Sequence, residues 1–228
     1  MRPVPAQRPR TAAAVPAARA AAVLLAAALL AAAGCASLQT PTGPWTLQAT
    51  DPAGTPLPGG VQSYRAEGVA LDIRPLTDAE RTAFLTTRAG AAGDAFAGGV
   101  RKFLAFHVAV SAPGAVPVHV ETQSIRLLPN GGSSMLPPLD YTRAFELLRP
   151  ERGTLPTGGM VETLMRGVFD GPIDLAAGQS IEGLLIFVEP ESWWDILFLD
   201  VPFIQAGADT GRSRFFFQKK YEGEATPR

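Results

Sequence analysis

Cysteine is nearly absent from this chain, which has a single one, Cys35, among 228 residues. One thiol cannot close an intramolecular disulfide, so no covalent cross-link between distant segments stabilises the fold. A chain of this length buries enough apolar surface to fold without such cross-links. Stability therefore depends on the hydrophobic core, and the lone cysteine needs another explanation.

Positive charge is scarce after the first residues. Residues 1–19 contain four arginines and no acid; without these four, 16 of the 20 basic residues remain against 21 acidic ones, a formal charge of −5. Nucleic-acid-binding domains carry clustered positive charge that neutralises phosphates. The sequence therefore argues against a nucleic-acid partner.

A long hydrophobic run is missing as well. The most apolar stretch, AAAVLLAAALLAAA over residues 20–33, has 14 residues and follows the four arginines. As a helix it would span about 21 Å, which is short of the roughly 30 Å of a bilayer core. A basic segment followed by a short apolar one is typical of a signal peptide that is cleaved.

The residues after this stretch, Ala32, Ala33, Gly34 and Cys35, resemble the lipobox of bacterial lipoproteins. This sequence departs from the family's pattern at Ala32, the position three residues before the cysteine, where leucine is most frequent in the family. The resemblance implies cleavage before Cys35 and attachment of fatty acyl chains to it, and several such chains hold a protein at a membrane almost permanently. Because Ala36 is not aspartate, the resemblance also implies an outer-membrane location facing the periplasm. An ordinary secretory signal is the alternative.

Composition divides the chain into three parts. We expect a signal peptide over residues 1–34, the lipidated Cys35 with a flexible linker over 35–60, and one folded domain over 61–228. The linker prediction rests on proline, glycine and small polar residues, as in DPAGTPLPGG. The segment PWTLQAT within it is also compatible with an early strand.

Alternating apolar residues predict strands through most of the domain. The segments that carry this signal are GVALDIRPLT, KFLAFHVAV, VPVHV, SIEGLLIFVEP, DILFLDVPF and SRFFFQKKY. The runs GLLIFV and ILFL are apolar enough to be buried on both faces or nearly so. Short helices are predicted after Thr77, where Glu80 completes a capping-box spacing, after Asp140, and around Met160–Val168. The expected fold is mostly β, an antiparallel immunoglobulin-like sandwich with short helical insertions.

The segments FHVAVSAPGAVPVHV, AAGQSIEGLLIFVEPES and ILFLD resemble the immunoglobulin-like, telokin-like domains of secreted bacterial lipoproteins. The matching positions are a turn glycine, Gly178, a second glycine, Gly183, and the end of an apolar run, Phe187. The resemblance covers roughly residues 100–217 and implies an early strand paired with a later one.

Residue types that carry chemistry are few. The two histidines, His107 and His119, fall on neighbouring candidate strands, but a stable zinc site needs three or four ligands, so we expect no metal. Ser180 in GQSIEG has one residue too many for a nucleophile elbow. We expect no catalytic residues and no cofactor.

The adjacent Trp193 and Trp194 are the candidate partner-binding residues, because exposed tryptophan is enriched at binding hot spots. If they lie in a strand, their rings point to opposite faces; alternatively, both pack over one end of the sandwich. The neighbouring carboxylates Glu189, Glu191 and Asp195 leave open a hydrolase acting on envelope polymers, which requires one of them in a cleft with a histidine.

These patterns predict a membrane-anchored envelope lipoprotein that binds a partner or assists envelope assembly without catalysis. The hydrolase and a carrier of a small apolar ligand, which requires an internal cavity, are the alternatives.

Overall fold

The computed structural model describes residues 43–89, 95–96, 101–152 and 158–222. The predicted signal peptide and Cys35 lie outside these described residues. Within them, no helix is both long and apolar enough to cross a membrane.

The described residues form ten strands, three α-helices and two short 3-10 helices, Pro58–Gly60 and Thr122–Ser124. The strands are β1 (Trp45–Thr50), β2 (Gln62–Ala66), β3 (Val69–Leu76), β4 (Phe103–Ser111), β5 (Val118–Val120), β6 (Arg126–Pro129), β7 (Ile173–Leu175), β8 (Ser180–Val188), β9 (Ile196–Ala206) and β10 (Asp209–Tyr221). The helices are α1 (Asp78–Ala89), α2 (Tyr141–Arg152) and α3 (Gly158–Gly167).

The strands form two antiparallel sheets. The larger sheet has the order β1-β10-β9-β5-β7, and β6 and β5 pair with successive parts of β9. The smaller sheet has the order β2-β3-β4-β8. The prediction of a mostly β, antiparallel sandwich with short helices is therefore confirmed.

One apolar cluster joins the two sheets. It takes alternate residues of the longer strands, such as Leu71 and Ile73 of β3 and Leu197 and Leu199 of β9, all at most 1% exposed. Alternation places the residues between them on the opposite faces of the two sheets. The core thus fixes which side chains of the larger sheet point to solvent.

A second apolar cluster covers the other face of the smaller sheet. Phe103 and Ala105 of β4 and Leu184 and Ile186 of β8 pack there with a buried residue from each helix, namely Leu85, Ala144 and Leu164. The run GLLIFV is therefore buried on both faces, as predicted. The helices form a third layer rather than isolated insertions.

Both predicted helix starts are present. The Thr77 backbone N–H donates to Glu80 Oε2 (2.9 Å), and the Glu80 N–H donates to Thr77 Oγ1 (3.3 Å), which completes the capping box of α1. At α2, Asp140 Oδ1 accepts from the Arg143 N–H (2.6 Å). The helix α2 continues to Arg152, past Pro150, although proline is unfavourable in the interior of a helix.

The first strand begins inside the range assigned to the linker. β1 pairs along its whole length with β10, from Trp45 opposite Tyr221 to Thr50 opposite Phe216. The early strand that the sequence allowed is therefore part of the larger sheet, and the folded domain begins well before residue 61. Alternation in so short a segment between prolines did not distinguish a strand from a linker.

Candidate functional site

The tryptophan pair lies in the connection between β8 and β9, outside any strand. Trp194 is 1% exposed and belongs to the core between the sheets, whereas Trp193 is 60% exposed. The two neighbours thus have opposite environments. Trp194 is a structural residue, and Trp193 alone remains a candidate for contact with a partner.

Trp194 closes one end of the sandwich together with Trp45 and Lys219. The two indole rings meet edge to face with centroids 5.2 Å apart, and Lys219 Nζ lies 3.7 Å from the Trp194 centroid and 4.6 Å from that of Trp45. Burial lowers the pKa of Lys219, although Glu189 and Asp195 oppose this effect. The cation–π contacts are worth about 0.5–2 kcal/mol and link β1 to the β8–β9 connection.

Asn130 fixes the backbone that presents Trp193. Its side-chain amide donates to the Trp193 carbonyl (3.2 Å), and its side-chain oxygen accepts from the backbone N–H groups of Asp195 (3.0 Å) and Ile196 (3.2 Å). Asn130 has a φ of 50°, in the left-handed region that asparagine tolerates better than most residues. The exposed indole therefore projects from a loop held at three backbone groups.

Large apolar residues occupy outward positions on the larger sheet next to this loop. Because Leu197 and Leu199 are in the core, Ile196 and Phe198 of β9 point away from it, and so does Phe216 of β10. Leu128, Phe198 and Phe216 lie directly opposite one another across three strands. Leu128 is buried at 7% exposure, so the accessible apolar surface of this row comes from the partly exposed Phe198 and Phe216. The rings of Phe198 and Phe216 are in edge contact, with centroids 5.2 Å apart.

A charged row runs beside this apolar row. Arg126, Asp200 and Arg214 are paired across the same three strands. Arg212 donates to both oxygens of Asp200 (2.7 and 3.2 Å), and Arg214 Nε lies 3.5 Å from Asp200 Oδ1. Hydrogen bonding to Asp200 raises the pKa of Arg212. Together with Arg212, these two rows form a surface that we call the aromatic–arginine face (Arg126, Leu128, Phe198, Asp200, Arg212, Arg214 and Phe216).

The sequence predicted the run ILFL to be buried on both faces, and here the structure differs. Ile196 is 39% exposed and Phe198 is partly exposed. All three helices pack on the smaller sheet, so the outward residues of β9 lack the cover that β8 has. The apolar pattern itself could have signalled a binding surface, but it does not tell which sheet the helices cover.

The two histidines are in separate places. His107 on β4 lies 3.2 Å from Glu182, which also pairs with Arg88 of α1 at 2.5 Å; the Arg88 hydrogen bond lowers the pKa of Glu182. His119 Nδ1 on β5 lies 2.7 Å from Asp174 of β7. Among the described residues, no group of three or more His, Cys, Asp or Glu side chains is placed to hold a metal ion.

Glu189, one of the carboxylates near the tryptophans, lines a cleft whose lining includes neither histidine. A cleft of about 810 Å³ beside Trp45 includes Glu189 with the charged Arg81 and Lys102, whereas His119 lines a different cleft of about 680 Å³. A carrier of a small apolar ligand requires an apolar cavity, whereas charged side chains line part of the first cleft. Ser180 is exposed at the start of β8, after the turn at Gly178 (φ 78°).

The three positions that carry the resemblance to telokin-like domains lie in or next to β8. Gly178 precedes the strand, Phe187 is fully buried between the sheets, and Gly183 lies where a Cβ would come within 2.9 Å of the Phe169 ring. A side chain at position 183 would therefore displace the Phe169 ring. The resemblance itself stays a prediction.

Comparison with protein-family models, with curated proteins and with solved structures finds no match for this chain.

Proposed function

We propose that this protein is a lipid-anchored lipoprotein of a bacterial envelope that binds another envelope protein and carries out no catalysis. The observation that supports binding is the asymmetry of the sandwich. Helices cover the smaller sheet, while the larger sheet has large apolar residues at outward positions beside the exposed Trp193. In an antiparallel sheet with one solvated face, outward positions are normally polar.

The anchor in this proposal is Cys35, with the protein facing the periplasm at the outer membrane. Only nine residues separate Cys35 from Trp45, where β1 begins. The ten Cα-to-Cα intervals from Cys35 to Trp45 span at most about 36 Å when the chain is fully extended. The anchor would thus keep the domain close to the bilayer, where membrane proteins and other lipoproteins are within reach.

Metabolic labelling with a radioactive fatty acid tests the anchor. We expect the wild-type chain to incorporate label and to fractionate with the outer membrane, and Cys35→Ser to lose both properties. A Ser37→Ala variant is the matched control, because it changes a neighbouring small residue and leaves the thiol in place. Label that persists in Cys35→Ser would refute the assignment.

A further inference from the structure

The aromatic–arginine face has the residue composition of a protein interface. Such interfaces are enriched in aromatic residues and arginine and depleted in lysine and acidic residues relative to other surfaces. The face contains two phenylalanines and three arginines with one carboxylate, and Trp193 stands near one end. Tryptophan and arginine are also the residue types that most often dominate binding energy.

The charge of this face differs in sign from that of the chain around it. Residues 35–228 have a formal charge of −5, yet this face has three arginines and a single carboxylate, that of Asp200, which pairs with Arg212 and Arg214. The Arg126 guanidinium donates to the neutral backbone carbonyls of Gln123 and Ile125. Two positive charges on the face therefore have no carboxylate to balance them among its members.

Apolar and charged groups are segregated into parallel rows. The row of Leu128, Phe198 and Phe216 and the row of Arg126, Asp200 and Arg214 are two residues apart along each strand. This separation is about 6.6 Å. A surface that is complementary to both rows must carry apolar side chains opposite the apolar row. It must also carry carboxylates opposite the arginines, at the same distance from those apolar side chains.

From this pattern we infer that the aromatic–arginine face is the docking site for a protein partner that presents an apolar patch bordered by acidic side chains. The inference rests on the proposed binding function and specifies the surface and chemistry of the contact. Charge complementarity of this kind sets the orientation of a complex and speeds association. The apolar row supplies the buried centre, and the arginines select an acidic partner.

Photo-cross-linking in intact cells tests this inference on the full-length chain. A photoreactive amino acid replaces Gln218, which lies on β10 two positions from Phe216 on the same side of the sheet. The comparison position is Arg143, whose exposed side chain on α2 belongs to the helical layer. We expect a covalent adduct with one envelope protein from position 218, and mass spectrometry of that adduct should identify a segment with apolar and acidic residues.

Charge removal supplies the second arm of the experiment. Arg214→Gln should reduce the position-218 adduct by about tenfold, the loss expected from a modest interface hot spot. Arg143→Gln is the matched control and should leave the yield unchanged. Arg212 keeps its two hydrogen bonds to Asp200 in the Arg214 variant. Arg212→Gln, which changes a face residue whose side chain is 60% exposed, provides a second charge variant if Arg214→Gln folds poorly.

Several outcomes would overturn the inference. Adducts from position 143 and none from position 218 would place the interface on the helical layer and leave the proposed function standing. Protein adducts from neither position would count against both. Adducts at 218 with a second copy of this chain, with lipid, or with a segment lacking acidic residues would contradict the stated partner, and so would a yield unaffected by both charge variants.

Discussion

At the scale of single residues, Trp193 and Trp194 should have very different effects when truncated. Trp194→Ala removes a fully buried ring from the core and should lower the free energy of unfolding by about 3–5 kcal/mol. Trp193→Ala removes an exposed ring and should change it by no more than about 0.5 kcal/mol. Chemical denaturation of the two purified variants measures the difference. Equal losses would show that Trp193 also packs in the core.

Asn130 gives a second residue-scale prediction. Asn130→Ala removes three hydrogen bonds to the loop that carries Trp193 and leaves a Cβ residue at a φ of 50°. We expect a loss of about 1–3 kcal/mol in the free energy of unfolding. Asn130→Gly loses the same hydrogen bonds without the backbone strain, so it should be less destabilising by about 1 kcal/mol. An alanine variant as stable as wild type would contradict this role.

At the scale of elements, the start of α1 makes the protein sensitive to acid. Burial tends to raise the pKa of Glu80, but hydrogen bonds from Thr77 and Arg74 outweigh it and hold the pKa below the usual 4.5. Because the folded state lowers this pKa, the carboxylate contributes stability above about pH 4.5 that is lost as the pH falls through the folded value. Glu80→Gln should therefore be less stable than wild type at neutral pH, and the gap should close in acid.

The size of this gap is limited by solvent. The Glu80 side chain is 43% exposed, so its pairing with Arg74 should contribute less than about 1 kcal/mol. Thermal unfolding of both proteins between pH 3 and pH 7 measures the gap. Glu146→Gln on α2, which removes another exposed pairing with an arginine, serves as the control for a general charge effect. A gap that is constant with pH would contradict the capping-box role.

Local signals in the sequence predicted most elements and both helix starts. The capping box at Thr77 and Glu80 and the alternation in β3 depend only on neighbouring residues, so they can be recognised without the fold. By contrast, β7 has three residues and β2 has the polar sequence QSYRA, which are too short or too polar for a periodic signal. These strands form because neighbouring strands pair with them.

At the scale of the whole molecule, the pattern of apolar residues in the sequence could not predict which of the two sheets the helices cover. GLLIFV and ILFL look alike as apolar runs, yet the first is covered on both faces and the second leaves Ile196 and Phe198 outward. That difference arises from long-range packing of three helices on one sheet. The aromatic–arginine face could therefore be recognised only once strand register and layer order were known.

The central claim is that a partner covers the uncovered face of the larger sheet while the helical layer stays free. Oxidative footprinting by hydroxyl radicals, applied to intact envelopes and to the purified protein, tests it most directly. We predict that Trp193, Phe198 and Phe216 react more slowly in the envelope, whereas Met165 on α3, which is 73% exposed, reacts equally in both samples. Equal reactivity of the three aromatic residues in both samples, or protection of Met165 alone, would contradict the claim.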